Sequence, residues 1–222
     1  MRIRRKKHLK ERLEKVKEYV IIPERDIVNV KEAVKDKRYF DYQSMFGNQN
    51  SVEIEIGCGK GGFIVEMAKQ KPNVNFIAVE LLDNIIVMAC ELAQSKNLTN
   101  VKFFNSGAEY LPRYIPDKSI DKLYLNFSPP YPSDAYENRR LTCDPRIECY
   151  KAFLKENGSI YQKTDDKGFF EYSFNQFLKH GFIVEDVSDK VDSGELENVQ
   201  TEYEKKFRAQ GMPIYALKAT KK

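Results

Sequence analysis

The chain contains 222 residues, of which 41% are hydrophobic and 12% are aromatic. This length and apolar content predict a folded domain of ordinary size with a sizeable core, and they exclude intrinsic disorder. No stretch approaches ~18 consecutive apolar residues and no apolar segment follows the basic N-terminus, so we expect a cytoplasmic protein without a membrane span or signal peptide. The four cysteines form no Cys-x-x-Cys pair and there are only two histidines, so we expect free thiols and no metal.

The net charge of +4 is concentrated at one end of the chain. Residues 1–17 hold nine Lys or Arg against two Glu, which makes this arm +7 and leaves −3 for the other 205 residues. A basic arm on a near-neutral body is typical of proteins that contact phosphate groups, so it indicates nucleic-acid binding. A solvated, frayed terminus explains the same charges, and the charge pattern alone leaves both interpretations open.

Hydrophobic periodicity divides the chain into an N-terminal extension, residues 1–50, and an α/β domain, residues 51–222. The extension is expected to lie outside the central sheet and to include an amphipathic helix, with apolar residues from Leu9 to Val20 on one face. In the domain, alternating strands and helices predict a mostly parallel seven-stranded sheet with helices on both faces and an antiparallel last strand. The predicted strands are residues 52–56, 74–79, 101–104, 121–127, 158–164, 182–187 and 213–219. The predicted helices are residues 62–70, 83–96, 145–155, 167–179 and 201–209.

The first predicted strand runs into a glycine-rich turn, Glu55-Ile-Gly-Cys-Gly-Lys-Gly61. Glycines there allow positive φ and close approach of a ligand. Glu80 ends the second strand, 21 residues after Gly59, where a carboxylate accepts ribose hydroxyls. Glu55 would repel a pyrophosphate but suits a sulfonium, so the motif favours S-adenosyl-L-methionine over a dinucleotide. A glycine turn without a ligand is the alternative.

The fourth predicted strand ends in a proline-rich loop, Ser128-Pro-Pro-Tyr-Pro-Ser133. Consecutive prolines fix a rigid turn, and Tyr131 offers an aromatic face for a base. Arg139 and Arg140 follow and could clamp phosphates as planar forks. The structural alternative is a stiffened loop with two surface arginines.

One further motif follows the fifth predicted strand, and another begins the last predicted helix. Asp165 ends the fifth predicted strand and is expected at the rim of the same crevice, with Asp166 capping the next helix. The block Thr201-Glu-Tyr-Glu204 looks like a helix start with a capping box. Local physics alone assigns that block no role beyond the cap.

Taken together, five motifs resemble those of bacterial tRNA (guanine-N7-)-methyltransferases over residues 50–217. They are Glu55-Ile-Gly-Cys-Gly-Lys-Gly61, Leu125-Asn-Phe-Ser128, Arg139-Arg-Leu-Thr142, Lys163-Thr-Asp165 and Thr201-Glu-Tyr-Glu-Lys-Lys-Phe207. The last block is highly specific, whereas most methyltransferases share the glycine loop. The resemblance implies a Rossmann-like class I methyltransferase fold and methyl transfer from S-adenosyl-L-methionine to guanine N7 in the tRNA variable loop.

The resemblance and the residues' own chemistry together give a set of expected site residues. The expected cofactor-binding positions are Glu55, Gly57, Gly59, Glu80, Gly107 and Pro129. The expected substrate-binding positions are Ser133, Arg139, Arg140, Asp165, Thr201, Glu202, Tyr203 and Glu204. The expected partner is tRNA, with no membrane, and both a monomer and a homodimer remain open.

This chain lacks a charged side chain of the family pattern at three positions. Most members read Ser-Asp-Pro-Trp-Pro-Lys, so the family's catalytic aspartate falls on Pro129 and its substrate lysine on Ser133. The acidic cofactor contact after the third strand falls on Gly107. The catalytic residue is therefore unassigned, with Asp165 and Glu204 as candidates.

Catalysis does not require the missing aspartate as a base, because guanine N7 carries an in-plane lone pair and no proton. A carboxylate would mainly offset the positive charge that grows on the purine, and most of the acceleration would come from alignment. The chemistry therefore predicts an active enzyme.

Two other functions fit some of the residues. Ser128-Pro-Pro-Tyr131 also matches the loop of methyltransferases that act on exocyclic amines, although such enzymes lack the Thr201–Phe207 block. The changes at positions 107, 129 and 133 would also suit a tRNA-binding relative without catalysis. The glycine spacing makes a nicotinamide dehydrogenase the least favoured interpretation.

Overall fold

The computed structural model describes residues 7–24, 29–193 and 199–222, and the chain divides after Tyr114 into two compact units. Four basic residues of the predicted arm lie outside the described residues: Arg2, Arg4, Arg5 and Lys6. Within the described ranges, no helix is long and apolar enough to cross a membrane.

The first unit contains four parallel strands in the order β1-β4-β3-β2. The strands are β1 (Val20–Ile21), β2 (Ser51–Ile56), β3 (Val74–Val79) and β4 (Val101–Phe104). The helices are α1 (Leu9–Lys15), α2 (Val30–Ala33), α3 (Tyr42–Phe46), α4 (Gly62–Gln70), α5 (Asp83–Ser95) and α6 (Leu111–Tyr114), with a 3₁₀ turn at Ala108–Tyr110. Helix α4 packs on β3, and α5 packs on β4.

The register of the parallel strands aligns the positions that matter for a ligand. Ile56 pairs with Val79, and Val79 pairs with Phe104, so β2, β3 and β4 end in one row. Every residue of β2 after Ser51 is buried, including Glu55, because parallel strands are usually covered on both faces. The segments that follow the three strands therefore leave the sheet at the same edge.

The N-terminal segment takes part in the sheet, so the expectation that it lies outside the sheet is wrong. Its β-branched residues before Pro23 form β1, which pairs with β4, so the chain has eight described strands rather than seven. Helix α1 ends at Lys15, and Val20 belongs to the strand instead of the predicted helix. The boundary between residues 50 and 51 remains a prediction.

The second unit contains two parallel strands followed by two antiparallel pairings, in the order β5-β6-β8-β7. The strands are β5 (Ile120–Asn126), β6 (Leu154–Thr164), β7 (Ile183–Asp186) and β8 (Tyr215–Thr220). The helices are α7 (Asp144–Phe153), α8 (Lys167–Lys179), α9 (Lys190–Ser193) and α10 (Glu202–Ala209), with a 3₁₀ helix at Asp134–Arg139. The predicted antiparallel last strand is confirmed.

Both predicted helix caps in this unit are present. The Asp166 side chain accepts a hydrogen bond from Phe169 N at 2.7 Å, and the Thr201 hydroxyl accepts one from Glu204 N at 2.9 Å. Each cap satisfies a backbone donor that the first helical turn would otherwise leave unpaired. The caps therefore fix where α8 and α10 begin.

Candidate functional site

The glycine loop after β2 has a conformation that side chains disfavour. Gly57 has φ +82° and Gly59 has φ +57°, and a Cβ at either position would meet nothing within 4 Å. The Gly57 N–H donates to Val79 O at 2.8 Å, which fastens the loop to the end of β3. The loop therefore exposes its backbone to open space, as binding of a closely approaching ligand requires.

Glu80 is joined to this loop as its spacing predicts. Its Oε2 accepts a hydrogen bond from Gly59 N at 3.2 Å, and its Oε1 accepts one from Leu82 N at 2.9 Å. The Asn105 side chain donates to the Glu80 and Leu81 carbonyls at 3.0 and 3.1 Å, which holds the turn after β3. The carboxylate is thus fixed in orientation and keeps lone pairs that can accept further bonds.

The electrostatics of the loop are those of an anionic site. Glu55 is only 2% exposed at the end of β2. Burial raises the pKa of the Cys58 thiol well above its ordinary value, and the charges of Glu55 and Glu80 raise it further. A negative potential at this loop stabilises a cationic ligand and disfavours a pyrophosphate.

A third carboxylate, which the sequence analysis missed, follows β4. Gly107 has an ordinary extended backbone, with φ −79°. A Cβ built there would lie 2.6 Å from Cδ and 2.7 Å from Oε2 of Glu109. The Glu109 carboxylate therefore fills the space in which a side chain of residue 107 would begin. The sequence gives one signal for Glu109: it is an acid two residues after Gly107, where the family pattern has an acidic residue.

The surface next to Glu80 is apolar. Leu81 and Leu82 are 63% and 42% exposed, although large apolar side chains are usually buried. An open glycine loop, a fixed carboxylate, exposed apolar side chains and a negative potential together fit a nucleoside that carries a positive charge.

The proline-rich loop after β5 is strained and held at both ends. Phe127 and Tyr131 have φ of +50° and +43°, a conformation that costs a bulky residue on the order of 1–3 kcal/mol. Phe127 N donates to Lys163 O at 2.8 Å. The Arg140 guanidinium donates to Pro130 O at 3.1 Å and to Tyr131 O at 2.9 Å.

The two predicted phosphate clamps occupy different environments. Arg140 is 7% exposed and lies over the Tyr172 ring at 4.3 Å, so its donors point to the protein and its arrangement favours positioning of the loop. Arg139 is exposed and lies over the Tyr136 ring at 4.7 Å. Of these two arginines, Arg139 is the one that is accessible to a phosphate.

The loop residues themselves differ in exposure. Pro129 and Ser133 are exposed, whereas Ser128 is 8% exposed. Within the described part of the chain, Ser128 Oγ has no hydrogen-bond partner. A buried hydroxyl without a partner is unfavourable and becomes stabilising when a ligand supplies one.

The substrate-binding candidates of the second unit surround a buried ion network. Glu204 is 0% exposed. Its Oε2 accepts from Lys163 Nζ at 2.7 Å, and its Oε1 accepts from Arg208 Nη2 at 2.9 Å. The network ties the start of α10 to the end of β6, which favours a positioning role for Glu204. Asp165, next to the network in sequence, is half-buried.

The remaining candidates in this block differ from Glu204 in accessibility. Thr201 is 7% exposed and serves as the helix cap, while Tyr203 is 59% exposed. Glu202 is also exposed. The exposed side chains are the ones that can reach a large substrate directly.

The fold is that of class I methyltransferases. The chain is similar to the crystal structure of 16S rRNA methyltransferase KamB, with a TM-score of 0.59 and 13% identity, covering 83% of this chain and 94% of that one. It is also similar to precorrin-6y C5,15-methyltransferase from Geobacter metallireducens GS-15, with a TM-score of 0.54 and 16% identity, covering 86% of this chain and 88% of that one.

Sequence comparison defines the family. Residues 49–217 match a family described as "Putative methyltransferase". Over 220 residues the chain is 38% identical to the tRNA (guanine-N(7)-)-methyltransferase of Streptococcus thermophilus strain CNRZ 1066, covering 99% of this chain and 98% of the relative. It is 42% identical to the enzyme of the same name from Bacillus licheniformis, covering 80% and 84% of the two chains. The chain belongs to the tRNA (guanine-N(7)-)-methyltransferase family.

Proposed function

We propose that this chain transfers a methyl group from S-adenosyl-L-methionine to N7 of a guanine in the variable loop of tRNA. The observation that carries the proposal is the pair of carboxylates beside the glycine loop. The Glu80 carboxylate is hydrogen-bonded to Gly59 N, and Glu55, two residues before Gly57, is buried. Relatives that share 38–42% identity with the chain carry the corresponding name. When bound, S-adenosyl-L-methionine supplies an activated methyl group on a sulfonium.

The residues of the first unit would hold the cofactor. The Glu80 carboxylate would accept the ribose hydroxyls, and Gly57 and Gly59 would let the backbone approach. Leu81 and Leu82 offer apolar surface for the face of the adenine. The negative charge of Glu55 would favour the cationic end of the molecule.

We further propose that Glu109 supplies the acidic contact that Gly107 lacks. Its carboxylate fills the place where a side chain of residue 107 would begin. A carboxylate there can accept a hydrogen bond from an exocyclic amino group of the base. The departure at Gly107 would then move the acid by two positions along the chain.

On the substrate side, the chain needs no general base, because guanine N7 has no proton to lose. Half-buried Asp165 remains the candidate for offsetting the charge that develops on the purine, since the Glu204 carboxylate is engaged by Lys163 and Arg208. Pro129 supplies no side-chain donor or acceptor, so its contribution would be the shape of the loop.

Exposed basic residues would bind the tRNA backbone. Lys10 and Lys15 are exposed on the N-terminal arm, and Arg139 is exposed after the proline-rich loop. Arg12 is excluded from this set because it forms a two-pronged ion pair with Glu91 of α5. Such cations release counterions when they neutralise phosphates.

The test is transfer of labelled methyl from S-adenosyl-L-methionine to an unmodified tRNA transcript, followed by digestion and mass analysis of the nucleosides. The proposal expects 7-methylguanosine. N6-methyladenosine would instead support the Ser128-Pro-Pro-Tyr131 loop acting on an exocyclic amine, for which the relatives offer no support. Binding of tRNA without any product would indicate a relative that lacks catalysis.

A further inference from the structure

Three aromatic side chains of the second unit, which belong to two separate sequence motifs, form a cluster. The Phe127 ring lies 6.2 Å from the Tyr203 ring and 5.8 Å from the Phe207 ring, measured between centroids. The Tyr203 and Phe207 rings are 6.3 Å apart with an interplanar angle of 27°. These distances fall within the range of interacting aromatic pairs. We call these three residues the aromatic platform.

The platform is not an ordinary core cluster. Tyr203 is 59% exposed although it contacts two rings, and Phe127 and Phe207 are only partly buried. Phe127 also adopts φ +50°, a conformation that a bulky residue avoids unless the surrounding structure imposes it. Strain of this kind concentrates at functional sites.

The surroundings of the platform suit a nucleic acid. Lys206 places its ammonium 5.7 Å from the centre of the Phe207 ring, and Lys205 is also exposed. Ser128, the residue after Phe127, has a buried hydroxyl without a partner in the described residues. Aromatic faces beside cations are the combination that binds unstacked bases together with their phosphates.

We propose that Phe127, Tyr203 and Phe207 form a stacking platform for an unstacked base of the tRNA substrate. The proposal rests on the proposed function, since it assumes that tRNA is the ligand. It assigns Tyr203 a stacking role through its ring and adds Phe127 and Phe207, which lie within two of the five motifs but are not among the expected substrate-binding positions. The buried network of Glu204 fixes α10, so two of the rings are held in place before the RNA arrives.

Binding and methyl transfer should be measured separately on Tyr203→Leu and Tyr203→Phe. Leucine keeps apolar bulk but removes the ring, so tRNA should bind roughly tenfold more weakly, whereas phenylalanine keeps the ring and should bind within about twofold of wild type. Affinity for S-adenosyl-L-methionine should stay unchanged in both. The matched control is Tyr39→Leu, which alters an exposed tyrosine of the first unit.

A fluorescence experiment reports stacking directly. The chain contains no tryptophan, so 2-aminopurine placed in the tRNA variable loop can be excited selectively. Its emission should be quenched in the wild-type complex and brighter in the Tyr203→Leu complex. The platform would be overturned if 2-aminopurine emitted equally in the wild-type and Tyr203→Leu complexes, or if the two proteins bound tRNA equally well. It would also be overturned if Tyr203→Phe weakened tRNA binding as much as Tyr203→Leu does. Ring-dependent tRNA binding without 7-methylguanosine formation would support the platform while contradicting the proposed function.

Discussion

The Glu80 carboxylate is hydrogen-bonded to the backbone N–H of Gly59, 21 residues away in the chain, at 3.2 Å. The bond joins the end of β3 to the turn after β2, so one side chain holds the glycine loop in place. A second bond, from Leu82 N, fixes the other carboxylate oxygen. The proposed cofactor contact and the geometry of the loop therefore depend on the same side chain.

Replacing Glu80 by alanine should weaken binding of S-adenosyl-L-methionine. The change would remove the proposed charge-assisted ribose contact, worth ~1.5–3 kcal/mol, which corresponds to roughly a tenfold or greater rise in Kd. Isothermal titration calorimetry measures this directly. Glu80→Gln keeps a carbonyl oxygen and should retain part of the affinity. An unchanged Kd for the alanine variant would remove Glu80 from the cofactor site.

Glu109 can be tested by moving the carboxylate back to position 107. Glu109→Ala should lower cofactor affinity about tenfold, because it removes an acceptor for the base. Gly107→Asp alone should also lower it, since the new side chain collides with the Glu109 carboxylate. The double variant Gly107→Asp/Glu109→Ala should recover most of the affinity. If calorimetry shows that the double variant binds no better than either single one, the proposed substitution of one acid for the other is wrong.

Arg140 should matter for RNA methylation through the loop that it holds. Arg140→Ala leaves the Pro130 and Tyr131 carbonyls without their donors, so kcat/KM for tRNA should fall at least tenfold while the Kd of the cofactor stays the same. Arg140→Lys offers fewer donors and should recover only part of the rate. Arg139→Ala serves as the comparison: as an exposed phosphate contact it should raise KM for tRNA and leave kcat unchanged. The reverse pattern would contradict the roles assigned to the two arginines.

The basic arm should be tested by neutralisation rather than by truncation. Leu9 and Val16 are buried, so deletion of residues 1–17 would uncover the core. The double variant Lys10→Gln/Lys15→Gln removes two exposed charges. It should reduce the slope of log Kd against log salt concentration by up to ~2, because fewer counterions are released.

Two exposed lysines on helices α2 and α4, changed together as Lys31→Gln/Lys69→Gln, provide the control and should leave the slope unchanged. Equal salt slopes for the arm variant and the wild type would show that the arm makes no phosphate contact. The measurement is tRNA affinity by fluorescence anisotropy over a range of salt concentrations.

Some elements with a clear apolar pattern could be predicted from the sequence to the residue. Strand β3 and helix α8 begin and end where periodicity places them, at residues 74–79 and 167–179. Strand β1 could not be predicted, because two residues carry no period and form a strand only through pairing with β4. Its partner lies about 80 residues later in the chain, where local pattern gives no information.

The contacts of the candidate site also include some that the sequence predicts and some that it does not. The contact between Glu80 and the glycine loop follows from strand spacing, because parallel strands end at a common edge. The burial of Arg140 could not be predicted, because its partners are two carbonyls of the proline-rich loop and the ring of Tyr172. The same holds for Glu204, whose partner Lys163 lies 41 residues earlier.

The most direct measurement is methyl transfer to a tRNA transcript in which the variable-loop guanine is replaced by 7-deazaguanine. This base keeps the shape of guanine but has a C–H group in place of N7, so it has no lone pair to accept the methyl group. The account predicts that the unmodified transcript forms 7-methylguanosine and that the 7-deazaguanine transcript binds equally well but accepts no methyl group. Equal methylation of the two transcripts would contradict it.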